Sequence, residues 1–182
     1  MKTAILPLEL AACRVRRLRE QDLTAFQAYR CDPQIGRYQG WQAQSDAQAL
    51  AFLQEMAAAP LLTPGAWLQL GIADAASDVL LGDLGLFLAA DGLSAEIGFS
   101  LARAAQGRGI ATAAVRAACA LLFAHTQAQQ IAGIADARNL PSIRLLQRIG
   151  MQFVREEACV FRGERCIEAH YVLARPASGC VI

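Results

Sequence analysis

The sequence predicts an α/β (α+β) fold: a mixed, largely antiparallel central sheet of about six to seven strands with helices on both faces. Three observations predict it. Between residues 66 and 101 the apolar runs "AWLQLGIA", "VLLGDLGLFL" and "AEIGFSL" follow one another, separated only by "DAASD" and "AADGLS", whose Asp, Gly and Ser suit hairpin turns. Beyond residue 101 helical and strand patterns alternate, so an antiparallel meander feeds a strand, helix, strand, helix, strand unit. The 182 residues, 55% hydrophobic and 18% charged, suffice for a single domain with one substantial core, its structured part spanning about 14–174.

The alternation of residues 14–18 predicts a first strand, and Asp22 a cap for the helix "LTAFQAYR", in which Leu23, Phe26 and Tyr29 recur at helical spacing. "CDP" ends that helix. Ser45 is placed to cap the next, "DAQALAFLQEM", with Leu50, Leu53 and Met56 on one side. After the three-strand meander, a glycine loop opens a helix over about 111–125, "QQIAGIA" reads as a short buried strand, and "SIRLLQRIG" as a helix that Gly150 terminates. "MQFVREEACVF" and "CIEAHYVLA" form a last strand pair, turned at Arg162 to Glu164.

Composition removes several function classes. A net charge of +1 makes nucleic acid an unattractive partner, and Arg14, Arg16, Arg17 and Arg19, interleaved with Val15 and Leu18, read as a half-solvated strand. Six cysteines without a CxxC pair or zinc spacing imply a reduced cytoplasmic protein that binds no metal. "LAAC" at 10–13 has the small residues of a lipoprotein cleavage site, but Pro7 and Glu9 interrupt the apolar segment before it. Cys180 is third from the end, where prenylation needs the fourth, and no apolar run is long enough to span a membrane.

The chemistry points to "AAQGRGIATAAV", residues 104–115. Two glycines at the mouth of a strong helix former are costly unless the backbone must approach a ligand. The N–H groups from Gly107 to Thr112 form an anion-binding concavity at a helix N-terminus, Arg108 adds a cation, and a side chain at Gly109 would stand in the anion's way. A dinucleotide fingerprint would need a glycine where Thr112 stands, and a P-loop would need a lysine the loop lacks.

"QGRGIA", Gln106 to Ala111, between a strand and a helix, resembles the Q/R-x-x-G-x-G/A signature of the Gcn5-related N-acetyltransferase (GNAT) superfamily. "NLPSIRLLQRIGM", Asn139 to Met151, is similar to that superfamily's N-x-x-S-x-x-L-x-x-x-x-G-F element, and "VRRLREQD" and "YQGW" resemble its ribosomal-protein N-terminal acetyltransferase branch. The resemblance implies acetyl-CoA as acetyl donor. It places Gln106, Gly107, Arg108, Gly109, Ile110, Ala111 and Thr112 around the pyrophosphate, the backbone of Phe99, Ser100 and Leu101 along the pantetheine arm where the strand splays from its neighbour, and Asn139 as a further ligand to that arm or as helix punctuation.

Acetyl transfer to a primary amine through a tetrahedral intermediate needs a base. Alternation sends Glu96 to the face opposite Ile97, Phe99 and Leu101, which makes it the first candidate; Asp83 is the rival, with a turn or strand-edge role as its alternative. Much of the superfamily places an acidic tyrosine where this chain has Leu146, so Ser142 is the remaining donor to the leaving thiolate, or else a helix cap. Tyr38 and Trp41 stand in a loop that either lines the acceptor site or covers a small core. Cys119 reads as core, His125 as a helix C-terminal charge and His170 as a satisfied strand histidine. The expected function is an acetyl-CoA-dependent N-acetyltransferase acting on an amine-bearing small molecule or protein N-terminus; the alternative, which Leu146 keeps open, is a non-catalytic acyl-CoA-binding or sensing module.

Overall fold

Side-chain alternation along one central strand sorts the molecule into two faces. In the computed structural model, which describes residues 5–177, the elements in chain order are β1 (Leu8–Glu9), β2 (Cys13–Arg17), α1 (Leu23–Arg30), α2 (Pro33–Gly36), α3 (Asp46–Ala58), β3 (Trp67–Asp74), β4 (Leu80–Leu88), β5 (Ser94–Leu101), α4 (Ile110–His125), β6 (Gln130–Asp136), α5 (Leu140–Arg148), β7 (Gln152–Phe161) and β8 (Glu164–Ala174). They build one eight-stranded sheet ordered β1-β2-β3-β4-β5-β6-β8-β7. Every pairing is antiparallel except β5 with β6. The strand beyond the expected six to seven is β1, two residues long and too short to show a period.

Leu84, Leu86 and Leu88 of β4 enter the larger apolar core with Val115, Ala118, Cys119 and Leu122 of α4 and Leu145 and Leu146 of α5. Each fully buried Val or Leu there is worth about 1.5–3 kcal/mol relative to exposure. A register shift between Ile72 and Ala73 turns Leu80 to the other face. There it packs with Leu18, Phe26, Tyr29, Leu53 and Met56 under α1 and α3. Helices therefore cover both faces, as the sequence implies. Ser45 caps α3 as expected, its Oγ accepting from the Gln48 N–H while Gln48 returns a bond to the Ser45 N–H. Gly150 follows α5 at φ +97°, the left-handed conformation a helix stop requires.

Three local expectations are corrected. Asp22 precedes α1 without a side-chain capping bond, because its carboxylate is held by Arg16 at 2.8 and 2.9 Å and by the Arg19 N–H at 2.8 Å. Arg16 is accordingly buried rather than half-solvated, with Asp78 Oδ1 3.0 Å from its Nε. Cys159 and Cys166 stand directly opposite each other on β7 and β8 and are disulfide-bonded, so the thiols are not all free and the argument from wholly reduced cysteines lapses. Cys119 is buried, and burial pushes its thiol up to about 12, which fits a core residue. Lys2 and Cys180 lie outside the described residues. Among the described residues no helix is long and apolar enough to cross a membrane, and no cluster of His, Cys, Asp and Glu is arranged to hold a metal ion.

Candidate active site

The parallel pair opens into a fork. β5 and β6 pair only at Ser94 with Gln130, Ala95 with Ile131 and Glu96 with Ala132. Beyond Glu96, β5 remains bonded to β4 on its other side as far as Leu101. The Phe99 carbonyl accepts from Gln39 Nε2 at 3.4 Å and the Leu101 carbonyl from Gln106 Nε2 at 2.9 Å, so both face the open side of the fork. Ser100, between them, turns its backbone toward Asp83 of β4 by the alternation of an antiparallel ladder. The splay expected at residues 99–101 is present, with backbone groups of Phe99 and Leu101, and not those of Ser100, on the open edge.

At the wide end of the fork lies the glycine loop. Gly107 and Gly109 have φ of +75° and +76°, and a Cβ on either would meet no protein atom within 4 Å. Glycine adopts this left-handed backbone readily, and the space where a side chain would stand is open. Gly109 is the N-cap of α4, and the first intrahelical bond runs from Ala113 N–H to the Gly109 carbonyl. The N–H groups of Ile110, Ala111 and Thr112 are thus left to point out of the helix end, at the positive pole of its dipole. Arg108 is exposed beside them. Its charge also reaches Asp74, whose carboxyl is held below its ordinary range first by bonds from Ser77 and then, among smaller causes, by Arg108.

At the narrow end stands Glu96. Its strand partner in β4 is Phe87, and next to this pair Gly85 faces Gly98; Trp67 and Gln69 lie over Gly85, whereas a Cβ on Gly98 would meet no protein atom within 4 Å. The open backbone at Gly98 floors a cavity of about 460 Å³, within the range of small-molecule sites, walled by Tyr38, Trp41, Trp67, Phe161 and Glu168. Burial, then the Glu168 charge, raise the Glu96 carboxyl above its ordinary range. Trp41 donates from Nε1 to Ser100 Oγ at 3.3 Å and its carbonyl accepts from Arg162 at 2.6 Å, so the β7–β8 turn ties the 38–41 loop over the cavity. Tyr38 and Trp41 are therefore lining residues.

A family model described as an acetyltransferase (GNAT) domain matches residues 13–152. The chain belongs to the GNAT acetyltransferase family. As a GNAT acetyltransferase it is an acetyl-CoA-dependent N-acetyltransferase that takes its acetyl group from acetyl-CoA and delivers it to an amine. Solved structures share the fold at low identity. A GNAT-family acetyltransferase from Bacillus anthracis aligns with TM-score 0.83 and 17% identity over 93% of this chain and 99% of its own. RimL, a ribosomal L7/L12 α-N-protein acetyltransferase bound to coenzyme A, aligns with TM-score 0.76 and 14% identity over 91% and 95%. A spermidine N-acetyltransferase mutant from Vibrio cholerae aligns with TM-score 0.73 and 16% identity over 91% and 95%. A comparison with curated protein sequences returned no match.

The remaining candidates of this GNAT site fall as follows. Asp83 is not at a turn or strand edge: it is buried in the middle of β4, where it accepts from Arg30 Nη2 at 2.6 Å, from the Tyr29 hydroxyl and from Gln69 Nε2 at 2.8 Å. A carboxylate so bound, with Arg30 and Tyr29 on Oδ2 and Gln69 on Oδ1, is paired with a buried cation and holds the cavity wall in place. Asn139 is the N-cap of α5, its Oδ1 accepting from the Ser142 N–H at 3.4 Å, so Ser142 itself is not the cap. Neither residue lines the cavity around Glu96. Leu146 is buried against Gly133 and Met151, so the side chain at the family's tyrosine position belongs to the core. His170 is not satisfied as expected: its Nε2 is buried without a hydrogen-bond partner, 3.4 Å from Glu157 and 3.9 Å from Glu168.

Sequence reasoning missed Glu168, Trp67 and Gly98. The signal for Glu168 was available: the turn centred on Arg162 and Gly163 pairs Phe161 with Glu164 and Cys159 with Cys166, and alternation then puts Glu168 on the face of Cys166.

Proposed function

We propose that this GNAT acetyltransferase transfers the acetyl group directly to a primary amine, with Glu96 as the general base. One observation carries the reading: Glu96 is the last β5 residue paired to β6, so its carboxylate stands where the strands part, facing the acceptor cavity without an arginine or lysine partner among the described residues. A base is most effective when its pKa moves toward the working pH, and burial moves Glu96 in that direction.

When bound, acetyl-CoA supplies an acyl thioester. The N–H groups of Gly107 and Gly109 to Thr112 hold its phosphates, with Arg108 as an added cation, and the open backbone edge at Phe99 and Leu101 holds its pantetheine arm. Gln39 and Gln106, whose amides occupy the Phe99 and Leu101 carbonyls, give way to that arm or share them with it. Glu96 takes the proton from the incoming ammonium, so that the amine lone pair is free to attack. Ser142, on the first turn of α5, donates a hydrogen bond toward the leaving thiolate; a thiol of ordinary pKa, near 8.5, needs little more.

The test is an amine panel with acetyl-CoA and detection of the released thiol. Thiol release that depends on both protein and amine is expected. No release above background with any aliphatic amine, arylamine or peptide N-terminus would overturn the reading in favour of a binding module.

A further inference from the structure

Every charge lining the acceptor cavity is negative. Of its four carboxylates, Asp83 is neutralised by Arg30, and Asp136 by Arg138, whose Nε and Nη2 lie 2.9 and 2.7 Å from its two oxygens. Glu96 and Glu168 remain. Neither is paired with an arginine or lysine among the described residues, and the partner of Glu168 within 4 Å is the His170 imidazole, its Nε2 at 3.9 Å. They come from different strands, β5 and β8, on two walls of one enclosure.

Two uncompensated carboxylates in a part-buried cavity repel each other and lose hydration, an arrangement that favours cationic occupants. The raised Glu96 carboxyl is the mark of both effects. The other walls agree. The Trp41 ring already carries the Arg30 guanidinium at 4.5 Å from its centroid, whereas Trp67 is half-exposed, leans against Phe87 and lines the cavity with no arginine over its ring among the described residues. An aromatic ring accepts an alkylammonium well, and the open floor at Gly98, where a Cβ would meet no protein atom within 4 Å, leaves room for an extended chain.

Resting on the acetyltransferase reading above, we propose that the acceptor is an aliphatic amine bearing a second positive charge, and that Glu168 is the specificity-determining residue that holds this second charge while Glu96 receives the reacting ammonium. An acceptor carrying a carboxylate close to its amine is rejected, because it would bring a third anion between two unpaired ones.

The experiment is a direct binding titration, which needs no turnover. 1,4-Diaminobutane, butylamine and 4-aminobutyrate are titrated calorimetrically into the wild-type protein and into Glu168→Gln. The diamine is expected to bind about tenfold or more tightly than butylamine, as a charge-assisted contact allows. 4-Aminobutyrate is expected to bind weakest. Glu168→Gln should remove most of the diamine's advantage and leave butylamine nearly unchanged. Equal affinities of the wild-type protein for diamine and monoamine would overturn the proposal, as would a Glu168→Gln variant that keeps the wild-type preference. The wild-type comparison stands even if the variant does not fold. Failure of the acetyltransferase reading shows separately, as absent thiol release with acetyl-CoA whatever the amines bind.

Discussion

Gly109→Ala separates a loop that is a turn from a loop that is a phosphate cradle. Gly109 has φ +76°, and a Cβ there would meet no protein atom within 4 Å, so the cost to the folded state is the left-handed backbone alone, about 1–2 kcal/mol. For a chain of 182 residues that lowers Tm by about 2–8 °C, a modest share of the stability of a typical domain. The same Cβ stands in the concavity between the loop and the first turn of α4. Losing one N–H bond to a phosphate costs about 1.5–3 kcal/mol, so acetyl-CoA affinity should fall tenfold or more. Gly92→Ala is the control: it has φ +71°, likewise has nothing within 4 Å, and lies in the turn between β4 and β5. Scanning fluorimetry should show similar small losses for the two variants, whereas calorimetric titration with acetyl-CoA should show weakened binding only for Gly109→Ala. Wild-type affinity in Gly109→Ala would refute the cradle.

Asp83→Ala should cost about 3–5 kcal/mol by leaving Arg30 buried without its carboxylate, read as a Tm loss of about 6–20 °C; a near wild-type Tm would mean that Asp83 is free for other work. Gly98→Ala adds a methyl group to the cavity floor with no protein atom within 4 Å, so acceptor KM should rise several-fold while Tm and acetyl-CoA affinity hold, and unchanged KM would displace the acceptor from this floor. The Glu96 carboxyl is raised in the folded protein, so its contribution to stability is favourable in acid and is lost as pH rises through the folded value. Glu96→Gln, uncharged throughout, should therefore gain Tm on the wild type as the buffer goes from acidic to alkaline, and a difference in Tm independent of pH would contradict the burial argument.

What the sequence made legible was local. The Ser45 cap, the stop at Gly150, the alternation that puts Glu96 opposite Ile97 and the glycine loop before α4 each depend on residues a few positions apart. The rest depends on pairs that only the sheet brings together. Arg16 finds Asp78 across 62 positions and Arg30 finds Asp83 across 53, so neither the buried arginine nor the occupied carboxylate could be read from its neighbours. Asp22 shows the competition directly, since a cap-forming residue was taken by a stronger partner from the adjacent strand. The end of β5–β6 pairing at Glu96 depends on where two strands cease to run side by side, which no periodicity records.

The most direct test of the central claim, that Glu96 at the fork is the base of an acetyl transfer, is the turnover of Glu96→Gln. With an acceptor that the wild-type protein acetylates, thiol release should fall by roughly 10²- to 10⁴-fold at unchanged acetyl-CoA affinity, and the acid limb of the pH profile should flatten or move. An unaltered rate and an unaltered pH profile would contradict the account and leave the amine to lose its proton to solvent.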